Sequence, residues 1–105
     1  MTPMILIAED DADIRGLLRL YLEGEGFRVL EADDGSKALE LARTHSPDMA
    51  ILDIMMPGLN GFELTRALRQ YSQLPILILS AKNQDNDKIL GLNLGADDYI
   101  AKPFN

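Results

Sequence analysis

Five short apolar runs divide the chain, each separated from the next by a polar stretch with helical spacing or turn residues. The first, Met4-Ile5-Leu6-Ile7-Ala8, is continuous rather than alternating, which predicts a strand covered on both faces. Ile14, Leu17, Leu18, Tyr21 and Leu22 then recur at helical spacing. Asp11 or Asp13 stands where an N-cap belongs, and Gly24 and Gly26 mark the helix end. Phe27 to Ala32 reads as a second, weaker strand. Asp33-Asp34-Gly35 reads as a turn and Ser36 to Thr44 as a helix, with Ala38, Leu41 and Ala42 inward. Ser46-Pro47-Asp48 breaks the chain before a third strand, Met49 to Leu52. After the rigid loop Pro57-Gly58-Leu59-Asn60-Gly61, a helix is predicted from Phe62, Leu64, Ala67, Leu68 and Tyr71. Pro75 to Leu79 is the fourth strand, with proline tolerated at its first position. A weak helix from about Asp85 to Asn93, anchored by Ile89 and Leu90, ends at Gly95. Asp98 to Ala101 is the fifth strand.

This order, βαβαβαβαβ, predicts an α/β fold: one parallel sheet with helices on both faces and right-handed crossovers. The natural arrangement is flavodoxin-like and doubly wound, with five strands in the order 2-1-3-4-5. The 105 residues suffice for one domain and one core. A fold of this kind calls for a fifth helix beside the first, and no such helix follows Lys102-Pro103-Phe104-Asn105 in this chain. Residues 1–105 are therefore expected to be a domain truncated before its last helix. Apolar surface near the first and fifth strands should then be uncovered.

Composition changes this picture little and charge somewhat more. No apolar run approaches the roughly 20 residues that span a bilayer, and the first residues carry no basic signal region, so neither membrane insertion nor secretion is expected. The absence of cysteine excludes disulfides. These features favour a cytoplasmic protein. A net charge of −7 argues against direct contact of this chain with nucleic acid and suits a cation or a basic partner.

The chemistry lies where the apolar runs stop. In an open parallel sheet, ligands bind beyond the carboxyl ends of the strands. Glu9-Asp10 follows the first strand, Asp53 the third, Ser80 the fourth and Lys102 the fifth. Strands one and three are neighbours in the expected order, so three carboxylates would converge and repel one another. Either retained protons or a divalent cation would relieve them. Oxygen ligands without His or Cys favour a hard ion, Mg²⁺ or Mn²⁺. The hydroxyl of Ser80 and the ammonium of Lys102 would suit phosphoryl oxygens, and a carboxylate can act as nucleophile and form an acyl phosphate. Taken singly, each residue has a blander reading: Asp53 before Pro57-Gly58 as turn chemistry, Asp10 or Asp11 as a helix cap, Ser80 as a turn residue, Lys102 as a solvated side chain. Their meeting on one edge favours the site.

With these residues in place, the chain resembles the receiver domain of two-component response regulators from Met4 onward. The resemblance is carried by Ile7-Ala8-Glu9-Asp10-Asp11, by Leu52-Asp53-Ile54-Met55-Met56-Pro57-Gly58 with Gly61, by Leu79-Ser80-Ala81-Lys82, and by Gly95-Ala96-Asp97-Asp98-Tyr99-Ile100-Ala101-Lys102-Pro103-Phe104. The last two segments look most like the OmpR/PhoB-like subfamily, whose receivers precede a winged-helix DNA-binding domain. The resemblance implies that Asp53 accepts a phosphoryl group from a sensor histidine kinase. It implies that Asp10, Asp53 and the backbone carbonyl of Met55 bind Mg²⁺ directly, with Glu9 acting through water. Ser80 and Lys102 would hold the phosphoryl oxygens, and Lys102-Pro103 would be a cis peptide. Tyr99 would be an aromatic switch that turns inward as Ser80 moves. A homodimer through the fourth-helix and fifth-strand face is implied too, with Lys88, Asp97 and Asp98 as candidate charge partners. His45 matches no motif and reads as a surface residue.

The function expected is thus a phosphorylation-controlled signalling switch acting on transcription, not an enzyme that turns over an external substrate. A phosphatase with an aspartyl nucleophile is one competing reading, but the second Asp such enzymes carry two residues later is here Met55. A flavin-binding module is another, but Glu9-Asp10-Asp11 would repel the flavin phosphate. An unphosphorylated pseudo-receiver, acting by contacts alone, would not need the full set of acidic, hydroxyl and lysine groups.

Overall fold

A five-stranded parallel sheet of order β2-β1-β3-β4-β5 forms the centre of the computed structural model, which describes residues 2–80 and 96–101, with the backbone alone at Ser80 and 98–101. In chain order the elements are β1 (Met4–Ala8), α1 (Ala12–Gly24), β2 (Arg28–Ala32), α2 (Gly35–His45), β3 (Met49–Asp53), α3 (Gly61–Arg69), β4 (Ile76–Ser80) and β5 (Asp98–Ala101). The expected strand order is therefore observed. The helix expected near residues 85–93 lies outside the described residues, as do Lys88 and Lys102-Pro103.

The continuous apolar runs have the cause inferred for them. Successive strand residues point to opposite faces, and both faces are covered. Leu6, Ala8, Ala50, Leu52, Ile76 and Ile78 pack with Ala38 and Ala42 of α2 and Leu64 and Leu68 of α3. Ile5, Ile7, Ile51 and Leu79 form the other cluster, against which Leu18 and Leu22 of α1 pack. β1 is thus well covered, with Ile7 fully buried. Among the described residues, exposed apolar surface lies mainly on α1, beside β1, at Leu17, Leu20 and Tyr21, with Met55 exposed as well; the side chains of β5 lie outside the described residues. The apolar residues of α1 span more of the helix circumference than one sheet face meets: Leu18 and Leu22 pack on the sheet, while Leu17 and Tyr21 are exposed. Tyr71 is also half exposed, with the Arg43 guanidinium 5.9 Å from its ring centroid.

Strand boundaries differ from the sequence reading by one residue in four places, two of them on β4. β2 starts at Arg28, not Phe27, because its register begins at Met4↔Arg28. β3 extends through Asp53, which pairs in register with Leu79. β4 runs from Ile76 to Ser80: Pro75 has no N–H to offer, although its carbonyl still accepts from Ala50 N at 3.0 Å. α2 also gains a residue at each end relative to Ser36–Thr44.

Helix starts follow local side-chain chemistry. Asp11 caps α1, accepting from Asp13 N and Ile14 N at 2.9 and 3.2 Å. Asp34 caps α2 through Lys37 N at 2.7 Å. Asn60 and Glu63 form a reciprocal capping box on α3. Among the described residues, no helix is long and apolar enough to cross a membrane.

One clamp joins three elements at the amino edge of the sheet. Asp97 Oδ2 accepts from Ile76 N at 2.7 Å and from Arg69 Nη2 at 3.0 Å, while Arg69 Nη1 donates to Leu74 O at 2.7 Å. Asp97 was a candidate for pairing across a dimer, but here it ties the start of β4 to α3. Asp97→Asn halves its acceptor capacity and removes its charge, so a loss of about 1–2 kcal/mol is expected. Urea unfolding checks it: a midpoint equal to that of the parent chain would place no weight on the clamp.

Candidate functional site

Parallel pairing brings the strand ends to one edge. Ala8 is in register with Leu52, so Glu9 leaves β1 beside Asp53 at the end of β3. Leu52 is in register with Ile78, and Ser80 with Ala101. The backbone of Ser80 therefore ends β4 on the same edge, and β5 delivers the chain there at Ala101. Asp10 follows Glu9 in the β1–α1 connection and is exposed.

Glu9, Asp10 and Asp53 each offer a carboxylate oxygen, and those three oxygens all lie within 4.8 Å of one another. Glu9 is fully buried and Asp53 only 3% exposed. Full charges at that separation repel by about 3.5 kcal/mol per pair at an effective dielectric near 20. A cation among them would reverse the sign of this term. Two oxygens on one Mg²⁺, each at about 2.1 Å, stand at most about 4.2 Å apart. Oxygens held within 4.8 Å of one another lie in the range that one ion can span, directly or through a bound water. The donor set, all oxygen, fits Mg²⁺ or Mn²⁺.

The surrounding backbone is tightly packed. Ile54 N donates to Leu79 O at 3.1 Å, and Gly61 N donates to Ile54 O at 3.0 Å. A Cβ added at Gly61 would stand 2.5 Å from the carbonyl oxygen of Asp53. α3 thus begins directly against the backbone of Asp53, and the buried hydroxyl of Thr65 donates to Gly61 O at 2.8 Å. On the far side of the loop, a Cβ at Gly35 would stand 1.9 Å from Leu59 O. Met55, whose carbonyl the sequence reading nominates as a ligand, has a side chain that is 58% exposed.

The structure therefore brings together Glu9, Asp10 and Asp53 and sets the backbone of Ser80 on their edge. The side chains of Ser80 and Tyr99, and all of Lys102 and Pro103, lie outside what is described. His45 is exposed at the end of α2, its Nδ1 2.8 Å from Thr44 Oγ1, at the opposite edge of the sheet. A cavity of about 170 Å³ lined by Ala42, Ser46, Pro47, Tyr71, Ser72 and Leu74 also lies at that opposite edge. Cavity volume alone would thus point away from the carboxylates.

Arg15 is a contributor that sequence reasoning missed. Its Nη1 donates to Glu9 O at 2.8 Å and its Nε to Glu31 Oε1 at 3.2 Å. Glu31 was the available signal, a carboxylate inside the otherwise apolar run Val29-Leu30-Glu31-Ala32. Arg19 also pairs with Glu31, and with Glu23 at 3.2 Å, which raises the Arg19 pKa above its ordinary value.

Comparison with known proteins agrees with this architecture. Residues 5–105 match the response regulator receiver domain family. The response regulator GtcR of Aneurinibacillus migulanus is 56% identical over 105 residues, covering 100% of this chain and 43% of that protein. The alkaline phosphatase synthesis transcriptional regulatory protein PhoP of Bacillus subtilis is 47% identical over 106 residues, covering 100% and 44%. The chain thus spans less than half the length of these curated relatives. Among solved structures, the BeF3-activated N-terminal receiver domain of Klebsiella pneumoniae RstA superposes with a TM-score of 0.93 at 37% identity, covering 97% of this chain and 87% of that one. A response regulator from Chloroflexus aurantiacus gives 0.94 at 38% identity, covering 100% and 88%.

Proposed function

The chain belongs to the response regulator receiver domain family, and on that premise we propose that Asp53 is its phosphoacceptor in a Mg²⁺-dependent switch. The family is one of signalling domains that interact with sensor histidine kinases and typically bind Mg²⁺, and its relatives here include transcriptional regulators. The observation that carries the reading is the meeting of three carboxylate oxygens at the carboxyl edge, two of them on buried residues. Asp10, Asp53 and the Met55 carbonyl would hold Mg²⁺ or Mn²⁺, with Glu9 acting through water. The ion supplies charge neutralisation for the incoming phosphoryl group.

The chain's own residues do the rest. A carboxylate oxygen of Asp53 attacks phosphorus in line, and the bond from phosphorus to the donor nitrogen breaks as the acyl phosphate forms. Burial holds that oxygen in one orientation, and positioning of this kind is the main source of catalysis in phosphoryl transfer. Ser80 and Lys102 hold phosphoryl oxygens. Movement of Ser80 lets Tyr99 turn inward, which alters the face made by the fourth helix and the fifth strand and favours a homodimer there. Lys102-Pro103 is cis in this reading. The donor is a phosphohistidine of a sensor kinase in the cytoplasm, and the output is transcriptional. The chain is not a turnover enzyme: the thioether of Met55 cannot serve as the acid that an aspartyl phosphatase needs at that position.

With acetyl phosphate and Mg²⁺, the protein should give a retarded band on phosphate-affinity gels. Asp53→Ala or chelation with EDTA should each abolish it. Equal retardation of parent and Asp53→Ala would overturn the assignment.

A further inference from the structure

We propose that Arg15 is a positioning residue for the cation site: its guanidinium fixes the backbone that carries Glu9 and Asp10. The inference rests on reading the carboxylate cluster as that site. Asp10 is exposed, lies in no regular element, and yet contributes an oxygen to a cluster whose members stand within 4.8 Å of one another. Among the described residues it belongs to neither core cluster, so the anchoring of its neighbours in sequence bears directly on its placement.

Both neighbours are anchored. Asp11 is fixed as the N-cap of α1 through Asp13 N and Ile14 N. Glu9 is held on both sides of its backbone: its N–H donates to Ala32 O at 3.0 Å, and its carbonyl accepts from Arg15 Nη1 at 2.8 Å. Arg15 is itself oriented, since its Nε donates to Glu31 on β2. Glu31 is in turn held by Arg19, one turn further along α1. The chain of contacts runs from α1 through Arg15 to the residue just before Asp10, with Glu31 as its brace. The Arg15 side chain is only 21% exposed, so this is not a loose surface pair.

The residue type matters. The guanidinium presents Nε and Nη1 in one rigid plane and meets a carbonyl and a carboxylate at once. A lysine at this place reaches one acceptor or the other. Residues that orient metal ligands from behind typically change ion affinity by about 10–100-fold when replaced. A small ion such as Mg²⁺ tolerates ligand displacement poorly, because it demands near-ideal geometry.

Isothermal titration of Mg²⁺ into the metal-free protein tests this, run well below each variant's unfolding midpoint as fixed by circular dichroism. Arg15→Met should raise the Mg²⁺ dissociation constant about tenfold or more. Arg15→Lys should fall between that and the parent, and Glu31→Gln should weaken binding less. The double variant Arg15→Met/Glu31→Gln should be no weaker than Arg15→Met, because Glu31 acts through Arg15. An unchanged dissociation constant in Arg15→Met, whether or not the midpoint drops, overturns the proposal. If Arg15→Met fails to fold, unchanged constants in both Arg15→Lys and Glu31→Gln overturn it equally. A parent chain that binds no Mg²⁺ overturns the site reading itself, and this proposal with it.

Discussion

Gly35→Ala should destabilise the fold by about 3 kcal/mol or more, and Gly61→Ala by about 2–3 kcal/mol. Both act by overlap with backbone and, at Gly35, with the Cβ of Leu59 as well, not with the far end of a flexible side chain. A methyl group at Gly35 meets the carbonyl oxygen of Leu59 at 1.9 Å and its carbonyl carbon at 2.6 Å. At Gly61 it meets the Asp53 carbonyl oxygen at 2.5 Å and Ile54 Cα at 2.9 Å. Relief at Gly35 requires α2 to separate from the loop after β3. Relief at Gly61 requires α3 to withdraw from the phosphoacceptor strand, so this variant should also lose Mg²⁺ affinity. Gly16 makes the contrast. A Cβ there meets nothing within 4 Å, and alanine in the middle of α1 should stabilise by about 0.5–1 kcal/mol. Urea denaturation of the three variants checks the ranking. If Gly35→Ala and Gly16→Ala were equally stable, the close approach of α2 to the loop would be wrong.

The second large effect is expected at Asp53 and has opposite signs with and without metal. In EDTA, Asp53→Asn removes one charge from a cluster in which each pair repels by about 3.5 kcal/mol at an effective dielectric near 20. Solvent screening at the exposed Asp10 and the loss of other contacts of Asp53 reduce the net gain to about 1–2 kcal/mol. That corresponds to a rise of several degrees in Tm for a domain of this size. Adding Mg²⁺ should reverse the order. At a concentration about 100 times its dissociation constant, an ion bound only by the folded state contributes about 2.7 kcal/mol. The parent chain gains this, and Asp53→Asn, with a direct ligand lost, gains little of it. Thermal unfolding in EDTA and in Mg²⁺ gives the comparison. An Asp53→Asn chain less stable than the parent in EDTA, or equally stabilised by Mg²⁺, would contradict the account of the cluster.

Much of this architecture was readable because its signals are local. Continuous apolar runs of about five residues specify strands covered on both faces, and Asp11, Asp34-Gly35 and Asn60-Gly61 carry cap and turn chemistry in their own side chains. The strand order then followed from a general preference of α/β sheets, and it brought Glu9, Asp10 and Asp53 to one edge. What could not be read depends on residues far apart in sequence. Asp97 reads as a candidate charge partner at a dimer face, yet within the chain it accepts from Ile76 N and Arg69, because β5 enters the sheet beside the start of β4. Arg15 carries no signal in its own segment, because its partner Glu9 O is brought under its guanidinium only by the β1–α1 turn. The closeness of Gly61 to Asp53 is likewise a property of how α3 enters, not of the Pro57-Gly58 loop that precedes it. Leu17 and Tyr21 fit a helical period but face outward, since periodicity says which residues share a face and not how much of that face is met.

The central claim is that one carboxylate, Asp53, receives the phosphoryl group. Its most direct test is chemical trapping: phosphorylate the chain with acetyl phosphate and Mg²⁺, reduce the acyl phosphate with borohydride, and sequence the peptides by mass spectrometry. The account predicts homoserine at position 53 and nowhere else. Homoserine at position 10, or unmodified Asp53 in a chain that carries phosphate, would contradict it.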